Sequence, residues 1–448
     1  MRRFAWRSLA LVSLIAFLAG ARAETRPHYG GTLGIEIHGA LTFTDPGEWP
    51  PELVALVYDS LVRLDERGEA RPALAISWQH DPEFKRWEFT LRSGVKFHDG
   101  SPVNAAAVVA SLKGSMSVTA SGEGAIAIQT DNPAPDLPVR LAGPRYAVLR
   151  RGANAVTSGS GPFRIAEWQP GKRALLAAHD DYWGGRPFVD VIELSMGRAY
   201  RDQSIDLQLG KTDVAELAIE DARRGIERGL RMWTSAPVEL LALVFERGRA
   251  AVEDARLRQA IALAIDRAAI HNVLLQRQGQ PASALLPQWL TGYAFLFAAA
   301  RDLERARDRV ALIQPVPRVT LSYDPADPLA RLIAERIALN VREAGVVLQV
   351  APGGKADVRL ARVRLSSLDS AQALADLAAA FGLAWQGPSG GAPEALFQAE
   401  QKLLDDYRVV PLFHVPQILG LSLRLRNWDP GPWGDWRLEN AWLEARRP

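Results

Sequence analysis

Cysteine is absent from this sequence of 448 residues. A chain without cysteine forms no disulfide, offers no thiolate to a metal and has no cysteine nucleophile. Histidine adds little support for a metal site, because none of the seven histidines is spaced as HxH or HxxxH. We therefore expect neither a bound metal nor a cofactor. A histidine cluster that binds a metal and forms only in three dimensions stays open as an alternative.

The sequence also lacks an excess of charge of one sign, with 53 basic and 51 acidic residues. Residues 1–23 hold four arginines and no acid, so the formal charge of +2 becomes −2 once that segment is removed. A nucleic-acid-binding protein is typically strongly basic. We therefore expect no nucleic-acid partner.

No apolar run is long enough to serve as a membrane anchor. The run from Leu9 to Gly20 is shorter than the roughly 20 residues that cross a bilayer. It follows two arginines and ends in the small-x-small pattern ARA at Ala23, which is typical of a cleaved secretory signal peptide. We expect cleavage after Ala23 and, without cysteine, no lipid anchor. The mature chain is then predicted to be a monomer free in the periplasm.

The remaining length predicts more than one lobe, because single cores stop growing at roughly 250–300 residues. One clear α/β unit begins with the strand RVTLSY. Asp327 is then a predicted helix N-cap before Pro328, and apolar residues follow at helical spacing as far as Gly345. A second strand, VVLQV, completes the unit. This alternation of strands and helices indicates an α/β fold.

Residues 92–104, RSGVKFHDGSPVN, admit two interpretations. Alternating apolar residues predict two strands here, the second ending at Phe97. His98 and Asp99 then form either a catalytic pair or part of a strand-to-helix turn in which Asn104 caps the following helix. A catalytic pair needs a nucleophile and a third group, and no such motif is nearby. We favour the turn, and a secreted hydrolase using this pair is the alternative.

Four segments occur in an order typical of one family: LVYDSLVRLDERGEARPALAISW, FTLRSGVKFHDGSPVNAAAVVASL, GSGPFRIAEWQPGKRALLAAHDDYWGGRPFVDVIEL and VEDARLRQAIALAIDRAAI. With them the chain resembles the extracellular solute-binding proteins of family 5, the dipeptide, oligopeptide and nickel type that serves ABC importers. The resemblance covers nearly the whole mature chain. It implies a periplasmic-binding-protein fold of two hinged α/β lobes, and a "GV-FHDG-P" turn in proteins that are not enzymes.

The resemblance also implies a discontinuous first lobe that contains an inserted subdomain. The implied division is signal peptide 1–23, lobe I 24–43 and 155–237, inserted subdomain 44–154, lobe II 238–412, and a closing segment of lobe I 413–448. The chain would cross between the lobes at Val238 to Gly248 and at Val409 to Leu421. Both segments are apolar, as buried strands are.

Five residues are candidate ligand contacts: Glu48, Trp49, Glu246, Asp369 and His414. Glu48 and Trp49 lie in a loop that reaches the cleft in relatives, where a carboxylate and an aromatic face suit a cationic or apolar group. The alternative is a surface loop packed by its own tryptophan. Asp369 is the loose counterpart of an acidic residue that pairs with the ligand's ammonium group in many peptide-binding members, although the aromatic neighbours are missing.

Glu246 and His414 are candidates because they lie on the predicted crossing strands. A single histidine on an apolar strand is also a common core residue whose nitrogens are satisfied internally. The function predicted from these features is capture of a peptide-like or other small solute and its delivery to an ABC permease, without catalysis. A ligand sensor of the same fold is a further alternative.

Overall fold

The structure is a computed structural model. It describes residues 26–42, 45, 49–151, 157–219, 221–297, 300–388, 392–428, 430–434 and 436–444. The predicted signal peptide therefore lies outside the described residues.

The strands are β1 (Thr32–Glu36), β2 (Val62–Leu64), β3 (Ala70–Pro72), β4 (Ala75–His80), β5 (Arg86–Leu91), β6 (Ser117–Ala120), β7 (Ala125–Gln129), β8 (Arg150–Arg151), β9 (Thr157–Ser158), β10 (Phe163–Gln169), β11 (Arg173–Ala178), β12 (Val191–Ser195), β13 (Val214–Glu216), β14 (Arg231–Phe245), β15 (Gln280–Pro281), β16 (Val319–Tyr323), β17 (Leu348–Pro352), β18 (Val358–Arg364), β19 (Val409–Leu421), β20 (Leu425–Arg426) and β21 (Trp442–Leu443). The helices are α1 (Pro51–Val57), α2 (Ala105–Leu112), α3 (Leu137–Arg140), α4 (Tyr200–Gln208), α5 (Asp221–Glu227), α6 (Ala255–Ala264), α7 (Arg267–Val273), α8 (Gln288–Thr291), α9 (Leu303–Ala311), α10 (Pro328–Glu343), α11 (Ser370–Ala380) and α12 (Pro393–Leu404).

A single eleven-stranded sheet runs through both lobes in the order β10-β11-β12-β1-β13-β19-β14-β18-β16-β17, with β15 paired to β19. Its two central strands, β14 and β19, are antiparallel along nearly their whole length. Every residue of β19 is buried, which explains its continuous apolar sequence. Lobe I lies on the β10–β13 side of this pair, and lobe II lies on the β16–β18 side.

The chain crosses between the lobes in the middle of β14 and β19. The strand register shifts on both sides of Pro237, which lies opposite Pro416. Proline donates no backbone hydrogen bond, so the ladder is weakest there. The first crossing strand begins at Arg231 and ends at Phe245, whereas the sequence suggested Val238 to Gly248. The difference arises because the first residues of β14 still pair with β19 inside lobe I.

The subdomain has its own small sheet, in the order β4-β5-β7-β6, covered by α2. A separate core that includes Trp87, Phe89, Phe97 and Val108 holds it together. The second strand predicted before His98 does not form, because residues 92–104 fold back in a turn with only an isolated bridge between Lys96 and Pro102. The residue limits suggested for the subdomain and the lobes stay predictions.

Capping signals fix the helix boundaries. Asp327 accepts hydrogen bonds from Leu329 N and Ala330 N at the start of α10, as predicted. Asp266 caps α7 in the same way and separates it from α6. None of the helices among the described residues is long and apolar enough to cross a membrane.

Candidate ligand-binding cleft

A cavity of about 180 Å³ lies where lobe I, the subdomain and lobe II meet. Lobe I contributes α1 and the three residues after it, 58–60, and the subdomain contributes the turn at residues 142–144. Lobe II contributes Val238 and the segment Arg364–Leu368, which directly follows β18. The C-terminal segment adds Trp433. The cavity is thus lined by both lobes beside the point where the chain crosses between them.

A group that we call the hinge-side bridge joins the lobes at one end of the cavity. Arg364 of lobe II places its Nε atom 3.0 Å from Oε2 of Glu52 in α1, and the two side chains are 12% and 4% exposed. Its Nη1 and Nη2 atoms donate to Gln417 Oε1 and to the Trp433 carbonyl at 2.8 and 2.7 Å. Gly434, with φ +76°, lets the C-terminal segment approach this guanidinium closely. Burial raises the pKa of Glu52, and the nearby Arg364 opposes that rise.

A second group, the far-side bridge, joins lobe II to the subdomain at the other end. The carboxyl of Asp369 lies beside that of Asp136, and Tyr146 donates to Gln372 Oε1 at 3.3 Å. Asp369 also caps α11 by accepting from Gln372 N at 2.7 Å. Burial and the adjacent Asp136 raise the pKa of Asp369 to about 7.

Asp59 is a third carboxyl at the cavity, in the lobe I wall. It accepts from Ser160 Oγ at 3.0 Å, Trp183 Nε1 at 2.9 Å and Tyr182 Oη at 3.4 Å. Burial raises its pKa to about 6. Tyr182 and Trp183 belong to the DYWGG segment, which by sequence alone reads as structural. The sequence alone did not predict that these two residues line the cavity. The feature that could have indicated it is a pair of adjacent aromatic residues whose side chains both carry a hydrogen-bond donor.

Glu439 and Arg63 add charges of both signs to the lining. Arg63 is exposed on β2, and Glu439 lies within electrostatic range of Asp59. Apart from these groups, Arg437 and a few serines, the lining is mainly apolar, with aliphatic side chains from both lobes and aromatic side chains from lobe I and the C-terminal segment. An apolar cavity with a few fixed polar groups is the usual form of a small-molecule site.

The loop that carries two of the predicted contacts is only partly described. Glu48 lies outside the described residues. Trp49 is 4% exposed and stacks on Trp168 with 5.5 Å between ring centroids, while its edge meets Tyr58. It packs in the core of lobe I and is absent from the cavity lining, because the aromatic neighbours offer it an apolar site. Contact between Trp49 and a ligand stays a prediction.

The other two candidates on the crossing strands also lie away from the cavity. His414 is buried, with Nε2 3.0 Å from the Leu285 carbonyl, and burial lowers its pKa to about 4. Glu246 follows the end of β14 and pairs with Arg359 at 2.8 Å, well beyond the crossing point. Asp369 is the one described candidate that lies next to the lining, and there it caps a helix and contacts Asp136.

His98 and Asp99 have local partners. The His98 ring places Nε2 3.0 Å from the Gly161 carbonyl, and burial lowers its pKa to about 4. Asp99 accepts from Ser101 N at 2.9 Å and holds the turn, and Asn104 caps α2 as predicted. Neither residue lines the cavity. These contacts support the turn rather than a catalytic pair. Within the described part of the chain, no group of three or more histidine and carboxylate side chains is placed to hold a metal ion.

Residues 69–398 match the family model described as "Bacterial extracellular solute-binding proteins, family 5 Middle". The chain belongs to family 5 of the bacterial extracellular solute-binding proteins. Among curated family 5 relatives, it is 23% identical over 317 residues to the probable D,D-dipeptide-binding periplasmic protein DdpA of Escherichia coli (strain K12). That match covers 64% of this chain and 61% of the relative, so the chain spans about three-fifths of the relative's length.

Solved structures of this type have the same two-lobed fold. The dipeptide binding protein from pseudoalteromonas sp. SM9913, in complex with Met-Leu, matches with a TM-score of 0.81 at 16% identity, over 92% of this chain and 100% of that one. The oligopeptide-binding protein AppA from Bacillus subtilis, in complex with a nonapeptide, matches with a TM-score of 0.79 at 18% identity, over 94% and 100%.

Proposed function

We propose that this protein is the solute-binding component of an ABC importer, which captures a peptide-like or other small solute between its lobes and delivers it to a membrane permease. The observation that carries the proposal is the cavity lined by both lobes beside the crossing strands. A ligand that touches both lobes stabilises the closed state by its greater affinity for that state. No covalent step is needed, and we propose that the protein is not an enzyme.

The remaining features of the proposal concern location and organisation. We infer export through residues 1–23 and a monomer in the periplasm without a lipid anchor. We also infer lobes divided near the limits that the sequence suggests, except that Trp49 and α1 pack in the core of lobe I and so belong to that lobe. Names of family 5 relatives support periplasmic solute binding. For this chain we place the ligand against Glu52, Asp59 and Arg364, which line the cavity, rather than against Glu246 or His414.

The test is closure on binding. Small molecules released from the purified protein are identified by mass spectrometry and added back to the ligand-free form. We expect the radius of gyration in solution scattering to fall and the melting temperature to rise by mass action. Tight binding with no compaction would overturn the two-lobe capture.

A further inference from the structure

Interlobe contacts bound the cavity at both ends of its lobe II wall. Apart from Val238, that wall is the five-residue segment Arg364–Leu368. Its first residue, Arg364, belongs to the hinge-side bridge, and the residue after its end, Asp369, belongs to the far-side bridge. Any ligand that runs along this wall therefore lies between the two bridges.

The hinge side is closed by more than one contact. Besides the Arg364–Glu52 pair, the ring of Trp289 on α8 in lobe II stacks on Trp433 of the C-terminal segment, with 4.7 Å between centroids. Trp289 Nε1 also donates to the Pro237 carbonyl at 3.4 Å, at the crossing point itself. These contacts join the lobes beside Arg364, at the hinge end of the lobe II wall.

The far side is closed by side chains of α11. Asp376 lies 3.9 Å from Arg145 of the subdomain and accepts from Gln372 Nε2 at 2.8 Å, and Gln372 in turn accepts from Tyr146. Together with the Asp136–Asp369 contact, these residues link lobe II to the subdomain over more than one turn of the helix.

The length of the lobe II wall and the volume of the cavity limit the size of a ligand that fits between the bridges. An extended chain advances at most about 3.6 Å per residue, so the Cα atoms of Arg364 and Asp369 are separated by no more than about 18 Å, part of which their own side chains fill. The cavity of about 180 Å³ is close to the roughly 150 Å³ that holds a benzene molecule, and below the roughly 300 Å³ at which pockets for drug-sized ligands begin.

We propose that the ligand is a compact solute no larger than a dipeptide, and that the two bridges determine this specificity by blocking longer ligands. The proposal rests on the proposed function and narrows its substrate class. A longer peptide would have to break the buried Arg364–Glu52 pair on one side or the α11 contacts on the other. Breaking the pair leaves a buried charge without its partner, which is a severe penalty.

The experiment measures the mass that the protein retains. The full-length mature protein, stripped of ligand, is incubated with the low-molecular-mass fraction of a periplasmic extract and examined by native mass spectrometry. We expect stoichiometric mass increments no larger than that of a dipeptide. Retention of species with the mass of a tripeptide or more would overturn the size limit and leave the proposed function intact. No retained mass from any fraction would contradict both.

A variant pair tests the role of the hinge-side bridge. Arg364→Ala combined with Glu52→Gln removes both charges, so no carboxylate is left buried alone, and we expect the retained masses to extend upward beyond a dipeptide. The matched control is Arg408→Ala with Glu253→Gln, a 2.5 Å ion pair inside lobe II whose arginine is 13% exposed. The control should retain the wild-type masses. An unchanged distribution in the Arg364 variant would show that this bridge does not set the limit.

Discussion

The hinge-side and far-side bridges close the same cavity with opposite electrostatics. The hinge-side bridge pairs a guanidinium with a carboxylate, Arg364 with Glu52. The far-side bridge places the carboxyl of Asp369, whose pKa is raised, beside that of Asp136. The first is held by charge attraction between its two members, whereas the raised pKa of Asp369 makes the second depend on pH. The pKa of Asp369 is raised to about 7, so the pH response of the far-side bridge is expected near neutral pH.

The largest effect is expected from Arg364→Ala. This change leaves the Glu52 carboxylate buried without its cation, and removing one partner of a buried pair costs about 3–5 kcal/mol. We expect the ligand-free protein to open, because opening lets water reach Glu52. The radius of gyration of the protein in solution scattering should therefore rise. The double variant with Glu52→Gln should recover part of the closed population. If the Arg364→Ala protein is as compact as the wild type, the hinge-side bridge does not hold the cleft closed.

The next effect is a pH dependence from the far-side bridge. The pKa of Asp369 is raised from 3.8 to about 7 in the closed protein, so closure takes up a proton. Its contribution is fully present below about pH 4 and is lost as pH rises through about 7. Between pH 5 and 8 we expect the apparent affinity for the released solute to weaken by up to about a hundredfold, because the range from pH 5 to the pKa of about 7 spans two pH units and each is a factor of ten.

Asp369→Asn provides the matched control for this pH effect. Asparagine caps a helix as well as aspartate does, and it carries no titrating proton. The variant should lose the part of the pH dependence that comes from Asp369 and keep only the part that comes from Asp59, whose pKa is raised to about 6. A flat wild-type profile, or a variant that keeps the full dependence, would contradict the role of the carboxyl pair. Arg140 also faces this pair, and its positive charge opposes the rise in pKa.

A smaller effect is expected from the neutral contact in the same bridge. Tyr146→Phe removes the hydroxyl that donates to Gln372 at 3.3 Å and leaves the ring packed in the subdomain core. A single hydrogen bond of this kind contributes about 1 kcal/mol, so affinity should fall about fivefold, by calorimetry, at any pH. A loss of affinity that appears only at high pH would indicate that Tyr146 acts through Asp369 and Asp136 rather than through its hydrogen bond to Gln372.

The sequence predicted features that depend on neighbouring residues. The caps at Asn104 and Asp327 were predictable because a side chain meets backbone only two or three residues away. The cavity was not, because its walls come from segments far apart in the chain that meet only when the lobes pack. Asp369 was singled out for a ligand's ammonium group, but its contact with Asp136 has no signature in either local sequence.

Trp49 is a second residue whose surroundings could not be predicted from local sequence. Its loop position suggested ligand contact, but whether an aromatic side chain faces a cleft or a core depends on its tertiary neighbours. Here Trp168 and Tyr58 supply an apolar site inside lobe I. Local sequence does not distinguish these outcomes, because both place a tryptophan in a loop after the first strand.

The smallest effect on binding is expected at His98, which contacts neither bridge. Its ring bonds the Gly161 carbonyl and meets the edge of His179, with 5.0 Å between the rings, outside the cavity lining. His98→Ala should lower the free energy of unfolding in urea, since a buried hydrogen bond worth about 1 kcal/mol and ring packing are lost. Affinity for the released solute should stay within about threefold. His98 belongs neither to the cavity lining nor to either bridge, and substitutions at sites that share no partners have nearly independent effects. Asp99→Ala is the matched control on the turn surface and should cost about 1 kcal/mol of stability at most. Loss of binding by a folded His98 variant would place this turn in the binding site and make the two bridges an incomplete account of it.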